Sequence, residues 1–344
     1  MLKVSVLMSN YNTPVEYLKR SIDSVLNQTF TDFELVIVND GSIDESKDVL
    51  YEYAHKDSRV VIIENEHNMG LPRSLNRGLD VCCGEYIMRM DTDDICYKER
   101  LEKQVYFMDK NPQLIVSGAW ADIFSDDEDD INETWKPVMC SSQDEYHIRL
   151  LFSGEPLIIH PSAVFRREMI NKYGLRYPTE EKYRYAEDYK MWVDCSKCGD
   201  VGILQDVVIK YRNNISEGRI TIRHEKEMKK CNQYIQAQEL KQLSLELTDD
   251  IFDYHFRLLS GRKPYDIEYK KWIDNLVKQN NKLGVYPKKL FEGLLYDRWY
   301  TIVYYGIAYE KSYIKRLKYF MELHTKSKVR FAKEIIGRRS KNDK

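Results

Sequence analysis

Three carboxylates fall within four positions at Asp91-Thr92-Asp93-Asp94, directly after the run Tyr86-Ile87-Met88-Arg89-Met90. Acids this close repel one another unless a cation, a proton or water offsets the charge. An all-oxygen donor set suits Mg²⁺ or Mn²⁺ better than a softer metal. The run before them reads as a short buried strand, and in parallel sheets ligands gather at the carboxyl ends of strands. The competing reading is structural: Asp93 or Asp94 caps the next helix and the others face water.

Two other places carry candidate chemistry. Glu187-Asp188 lies at the start of an expected helix in Tyr185-Ala-Glu-Asp-Tyr-Lys-Met-Trp192, where acids also serve simply to complement the helix dipole. His160 sits in Leu157 to Arg167, which reads as a strand-like pair interrupted by His-Pro. The proline argues for a bend or an edge and would put His160 near the surface of a cleft; a packed, hydrogen-bonded histidine is the alternative.

The elements that would position these residues alternate regularly. Val4 to Met8, Leu35 to Val38, Val60 to Ile63 and Tyr86 to Met90 are strand-like. Between them come a helix opened by Pro14 with Leu18, Ile22, Val25 and Leu26 on one face, a second capped by Asp44 and running to about Ala54, and a third over Leu71 to Val81. This alternation predicts an α/β fold with a mostly parallel sheet and helices on both faces. It brings Tyr11, Asp40, Asn68 and the Asp91 to Asp94 acids to one edge. The first turn, Ser9 to Pro14 but for the closing proline all side-chain-bearing and glycine-free, lacks the G-x-G-x-x-G of a dinucleotide fold, and no P-loop motif occurs.

Further along, Lys98 to Asp109 predicts an amphipathic helix with Leu101, Val105 and Met108 inward, and Leu114 to Ala119 a strand. Asp122 to Glu133 carries seven acids and reads as a solvated loop. Ser141 to Phe152 predicts a helix, and Val201 to Leu204 and Val207 to Tyr211 two last short strands. From Thr221 the pattern is almost wholly helical, with breaks near Ser260-Gly261 and Tyr286-Pro287. The expected division is therefore residues 1–220 and a helical region 221–344.

The chain has 344 residues, 53 basic and 55 acidic, for a net charge of −2, which gives no nucleic-acid signal. The stretch from Glu310 onward holds 12 Lys/Arg against 4 Asp/Glu. There Tyr313, Ile314, Leu317, Phe320, Met321 and Leu323 interleave with the basic residues, as in an amphipathic helix on an anionic membrane face or an acidic partner; an ordinary surface helix with a frayed basic end is the alternative. Seven cysteines without framework spacing fit a reducing compartment, and Cys195-Ser-Lys-Cys198 has no second pair or histidine cluster to make a zinc site. No apolar run approaches the roughly 20 residues of a spanning helix. The expected location is the cytoplasm, peripheral on the inner face of the plasma membrane.

Taken in order, these motifs resemble the family-2 glycosyltransferases of the GT-A fold, in particular bacterial enzymes of polysaccharide or lipopolysaccharide synthesis. The resemblance covers about residues 3–215. It is carried by Val4-Ser-Val-Leu-Met-Ser-Asn-Tyr-Asn12, Ser24-Val-Leu-Asn-Gln-Thr-Phe30, Phe33-Glu-Leu-Val-Ile-Val-Asn-Asp-Gly-Ser42, Asn68-Met-Gly-Leu71, Gly84-Glu-Tyr-Ile87, Asp91-Thr-Asp93-Asp94, His160-Pro-Ser162 and Glu187-Asp188.

The resemblance implies a nucleotide-sugar donor, most often a UDP-sugar, and a glycan or lipid-linked acceptor. It implies that Tyr11 lies against the base, that Asp40 accepts from the uracil or ribose, and that Arg73 is near the nucleotide. Asp91-x-Asp93 matches the D-x-D that holds Mn²⁺ or Mg²⁺ in the family, with Asp94 as the alternative ligand. Asp188 matches the general base, and with no protein nucleophile the transfer would invert the anomeric centre. His160 and Glu187 would help with acceptor or phosphate. Where many relatives place a histidine after a Tyr-Arg, Tyr211-Arg212 is followed here by Asn213-Asn214. A sugar nucleotidylyltransferase, a non-catalytic scaffold and a lectin-like module are the competing functions; the first would want a glycine-rich basic loop after the first strand, which Ser9 to Pro14 is not.

Overall fold

The computed structural model describes residues 2–125, 127–152, 158–213, 224–245 and 267–309, with residues 248, 255 and 321. The first half alternates as expected: β1 (Val4–Asn10), α1 (Val15–Leu26), β2 (Phe33–Asn39), α2 (Ser46–Lys56), β3 (Val60–Glu64), α3 (Leu71–Val81) and β4 (Tyr86–Arg89). Next come β5 (Ile95–Cys96), α4 (Arg100–Lys110), β6 (Leu114–Phe124), β7 (Ile131–Trp135), α5 (Gln143–Phe152), β8 (Val164–Arg166), α6 (Arg167–Lys172), α7 (Glu187–Cys198) and β9 (Asp200–Arg212). The helices α8 (Glu225–Leu240), α9 (Ile267–Leu283) and α10 (Lys288–Tyr309) follow.

Among the described residues, nine strands form one sheet in the order β3-β2-β1-β4-β8-β6-β9-β5, with β7 paired to β6. The first four are parallel, and β4 then meets β8 antiparallel. Strands β1 and β4 are buried in the middle of the sheet, with Val4, Val6, Leu7, Met8, Tyr86, Ile87 and Met88 all at most 1 % exposed. Leu18, Ile22 and Val25 of α1 and Leu101, Val105 and Met108 of α4 join Val4, Val6 and Met8 in one core. Burying each such side chain contributes about 1.5–3 kcal/mol, which is what selects these helix faces.

Four expectations need correction. The acidic stretch Asp122 to Glu133 is not a free loop: β6 runs on through Phe124 and pairs with β7 as a hairpin. Asp122 accepts there from Tyr97 and Thr134 hydroxyls at 2.6 Å each, so its charge is used locally. The two last strands are one, β9, whose parallel pairing with β6 absorbs Gln205-Asp206 as register shifts between Ala119 and Ala121. The His-Pro segment is not a strand pair. His160–Ser162 is a single 3-10 turn before β8, and α6 begins where the second strand was to end. Finally, α2 starts at Ser46 with Glu45 in the cap position, while Asp44 accepts the Ser46 N–H at 3.2 Å.

The chain divides into two compact units, Met1–His147 with Pro156–Ile235, and Ile148–Glu155 with Gln236–Lys344. The division expected at residue 220 falls outside the described residues, and the first unit takes in the beginning of α8. In the second unit the Phe152 ring meets His255, Tyr286 and Phe291 edge-on at 5.6, 6.0 and 5.2 Å. The Trp272 indole N–H donates to His255 Nδ1 at 3.2 Å. The break foreseen near Tyr286-Pro287 separates α9 from α10. The basic tail lies outside the described residues except for Met321, and no helix among the described residues is long and apolar enough to cross a membrane.

Candidate active site

The acids sit where β4 ends, and every neighbour of that strand end holds them in place. The Met90 N–H donates to Leu7 O at 3.0 Å and the Arg89 N–H to Ala163 O at 2.9 Å. The Ser21 hydroxyl donates to Asp91 O at 3.1 Å, and the Thr13 and Thr92 hydroxyls meet at 2.7 Å. From below, the buried Arg100 of α4 donates to Arg89 O and Pro161 O, both at 2.8 Å. The strand end, the acidic turn and the His160 turn are thereby one rigid piece.

One carboxylate oxygen from each of Asp91, Asp93 and Asp94 lies within 4.8 Å of the others. Their surroundings differ. Asp91 is taken by Arg89, a guanidinium only 3 % exposed, whose two arms grip both carboxylate oxygens. Asp94 is fully buried; its Oδ1 accepts the Arg212 N–H at 2.8 Å, while Oδ2 is buried without a hydrogen-bond partner. Burial, and after it the charge of Asp91, pushes the Asp93 carboxyl up to about 6. Burial and the charges of Asp93 and Asp91 push Asp94 well above the usual carboxylate range. An orphaned buried acceptor beside acids that resist ionising gives a set of hard oxygen donors whose chemistry fits Mg²⁺ or Mn²⁺.

That electrostatic debt sets a pH test. Because the folded pKa of Asp93 lies above its unfolded value, the native state holds a proton that the unfolded chain releases between about pH 4 and 6. The contribution to stability is thus present at low pH and is lost as pH rises through 6. A divalent cation should therefore raise Tm more at pH 7.5 than at pH 5.5 in thermal melts; equal shifts would count against the site.

The neighbouring edge, where Tyr11 and Asp40 lie, is built from two turns braced together. Buried Asn10 donates to the Ser42 and Ser46 hydroxyls at 3.0 Å each, and Asn12 Oδ1 accepts the Ile43 N–H at 3.0 Å. Gly41, at φ +70°, passes so close to the next turn that a Cβ would stand 2.5 Å from the His67 carbonyl carbon. Asp40 is 2 % exposed and organises that next turn: Oδ1 accepts from Asn65 Nδ2 and the Met69 N–H, and Oδ2 from the Gly70 N–H, at 2.7 to 2.9 Å. Much of its acceptor capacity is spent on the protein. Tyr11 is 49 % exposed at the same edge, and Arg73 is exposed on α3, donating to Met69 O at 3.4 Å.

Glu187 and Asp188 open α7, after Tyr185, which has φ +65°. The Asp188 carboxylate accepts the Tyr189 N–H at 2.6 Å. Burial raises its pKa against the pull of that N–H and of Arg89. Burial and then the charge of Asp188 push Glu187 up to about 7, and both acids also feel Arg89 and Asp91. The structure thus brings the α7 acids within electrostatic reach of the D-x-D. Of the two readings of His160, the structure shows the hydrogen-bonded one, with the residue still partly exposed. Its Nε2 meets the Tyr177 hydroxyl at 2.9 Å and its ring packs edge-on to Trp192 at 5.8 Å. Burial and then Arg89 hold its pKa well below the ordinary value. A neutral, packed imidazole is not a phosphate counter-ion.

Two residues of this centre are not among those the sequence singles out. Arg89 closes an otherwise apolar strand. The signal was available, since a charge in a central strand must be paired, and Asp91 two positions on shares its face. Arg212, near the end of β9, carries no signal of its own in the sequence. Its Nε donates to Asp93 O at 3.0 Å and its guanidinium lies 3.9 Å from the Tyr17 ring centroid and 4.5 Å from that of Phe124. It closes the back of the acidic turn, and nothing local predicts that.

The model of the family described as Glycosyl transferase family 2 matches residues 5–174. The chain is 35 % identical over 211 residues to the amylovoran biosynthesis glycosyltransferase AmsE of Erwinia amylovora, covering 60 % of this chain and 75 % of that protein. It is 35 % identical over 211 residues to an uncharacterized glycosyltransferase of Methanocaldococcus jannaschii, covering 61 % and 70 %. In fold it is similar to S. aureus TarS (residues 1–349) in complex with UDP-GlcNAc, with a TM-score of 0.55 at 18 % identity over 91 % of this chain and 92 % of that one. Relatives this similar, aligned over more than two thirds of their own length, show that the chain belongs to glycosyl transferase family 2 and is a glycosyltransferase acting on nucleotide sugars.

Proposed function

We propose that the protein transfers a sugar from a UDP-sugar to a hydroxyl of a glycan or lipid-linked acceptor in cell-surface polysaccharide synthesis, with inversion. The observation that carries this reading is that one compact unit holds two acidic groups with different environments: the clustered acids at the end of β4, and the Glu187-Asp188 pair at the start of α7, which feels the charges of Arg89 and Asp91. That TarS was solved with UDP and with UDP-GlcNAc, and that AmsE is named for amylovoran synthesis, support the donor and the setting.

Asp93 and Asp94 Oδ2 are the ligands we assign to Mn²⁺ or Mg²⁺, because Asp91 is committed to Arg89. Bound there, the cation would offset the charge that grows on the departing diphosphate. Tyr11 flanks the base, Asp40 shapes the turn that receives the nucleoside through its Met69 and Gly70 bonds, and Arg73 stands at the rim. Asp188, with a pKa raised toward the working range, takes the proton from the acceptor hydroxyl as that oxygen attacks the anomeric carbon. Glu187, raised by burial and by the charge of Asp188, shares a proton with the pair near neutrality. A single displacement with no protein nucleophile inverts the centre, so an α-linked donor gives a β-linked product.

Calorimetric titration with UDP in the presence of Mn²⁺ tests the ligand assignment. Asp93→Asn and Asp94→Asn should each weaken UDP binding about 10- to 100-fold, the usual cost of impairing a metal site, while binding without metal stays equal to wild type. Equal affinity in both variants would remove the metal from the reading. NMR of the product made from an α-linked donor decides the stereochemistry.

A further inference from the structure

The beginning of α8 belongs with the sheet unit although the sheet ends at Arg212. What it contributes is a wall. Glu227, Lys230, Cys231 and Tyr234 follow the three- and four-residue spacing that puts them on one helix face. With the segment ahead of α7 they line a cavity of about 630 Å³. That size is within the range of small-ligand sites.

The opposite wall holds Lys182, Arg184 and Tyr185. Tyr185 adopts φ +65°, which costs a residue with a side chain about 1–3 kcal/mol, and such strain gathers at functional sites. The strained backbone lays its ring flat on the His224 imidazole, 4.3 Å between centroids and 8° between planes. Beside them Tyr183 and Tyr234 meet at 5.8 Å, and Lys182 Nζ stands 4.9 and 5.4 Å from their centroids. Arg184 is paired with Glu181 at 2.9 Å, and Lys182 has only a 3.8 Å approach to Glu180. The charges that face the cavity otherwise are Lys182 and Lys230 against Glu227. Aromatic faces with cations at the rim suit a ring that is apolar on one side and anionic at one substituent.

The cavity adjoins the reaction centre. Tyr185 is three residues before Asp188. The Cys231 thiol in its wall is raised by burial and then by the charges of Glu181, Glu187 and Glu227.

We propose that this cavity seats the accepting sugar, and that this sugar is an anionic saccharide whose C–H face lies on the aromatic pairs and whose carboxylate or phosphate meets Lys182 and Lys230. The proposal rests on the transferase reading above. Saturation-transfer NMR and calorimetry on the full chain with methyl glucuronide, glucose 6-phosphate and methyl glucoside test it. At least one anionic sugar should bind about fivefold more tightly than the neutral one, and which of the two it is tells carboxylate from phosphate. The K182A/K230A double variant should erase that preference without changing methyl glucoside binding. Tyr234→Ala should weaken all three, with Tyr234→Leu as the milder substitute if the first melts early. Absence of an anionic preference, or a preference that survives K182A/K230A, would overturn the proposal. UDP affinity with Mn²⁺, measured in the same variants, should stay at the wild-type value. Loss of UDP binding in the wild type would sink the donor reading instead, while the sugar titrations still report on the cavity.

Discussion

Asp188→Asn is expected to lower the transfer rate by about 10²- to 10⁴-fold, the usual share of a positioned general base, with UDP affinity unchanged. The amide keeps the size and can still accept the Tyr189 N–H through its carbonyl, so the start of α7 is preserved. What it loses is the capacity to take a proton. Because burial raises both α7 acids, the pair binds a proton near neutrality, and Glu187 is pushed up to about 7. The log of kcat/KM should therefore fall as pH drops below that region. Glu187→Gln removes the like charge beside Asp188 and should move the acid limb to lower pH, while Asp188→Asn abolishes the limb with the activity. Transfer by Asp188→Asn at the wild-type rate, or an acid limb that stays put in Glu187→Gln, would remove these residues from the proton path.

The second large effect is expected at Arg89. Arg89→Met leaves the Asp91 carboxylate without its guanidinium partner, and removing one member of a buried pair costs several kcal/mol. The Asp91 side chain retains 32 % exposure, so water recovers part of this and roughly 2–3 kcal/mol is the expected loss. Urea unfolding should show it as a lower midpoint. The double variant R89M/D91N should recover most of the stability, since neither charge is then unpaired, yet remain inactive because the acidic turn is no longer held in register with α7. Arg89→Lys keeps a charge but cannot make the two-armed grip, and should fall between. Full activity in R89M/D91N would mean that the pair serves folding alone.

Much of this architecture was legible along the chain. The predicted bounds of α3, Leu71 to Val81, are those observed, because Gly70 and the proline at its second position leave the helix few other places to begin. The first three strands extend only one to three residues beyond their apolar runs. Asp122 to Glu133 was not legible: acids signal water, but β9 offers β6 a partner far enough along to extend it, and the hairpin follows. Which of its two readings His160 takes was not legible, because its surroundings, Tyr177 and Trp192, come from 17 and 32 residues on. No local pattern reports them.

The sequence by itself determined the alternation, the family, and the presence of acids at the end of β4 and at the start of α7, since those depend on periodicity and on residue type. Tertiary structure alone decided how the acids divide their work. Whether a carboxylate binds a cation, a proton or an arginine depends on what stands within a few ångströms, and Coulomb energy in a buried site changes steeply over that distance. Arg89 folds back on Asp91, Arg212 arrives from the far end of β9 to take Asp94 Oδ1, and Asp94 Oδ2 is left without a partner. Those three contacts give the three acids different surroundings: Asp91 is anchored to a guanidinium, while Asp94 is buried with one oxygen unpartnered, which is the basis of the ligand assignment proposed above.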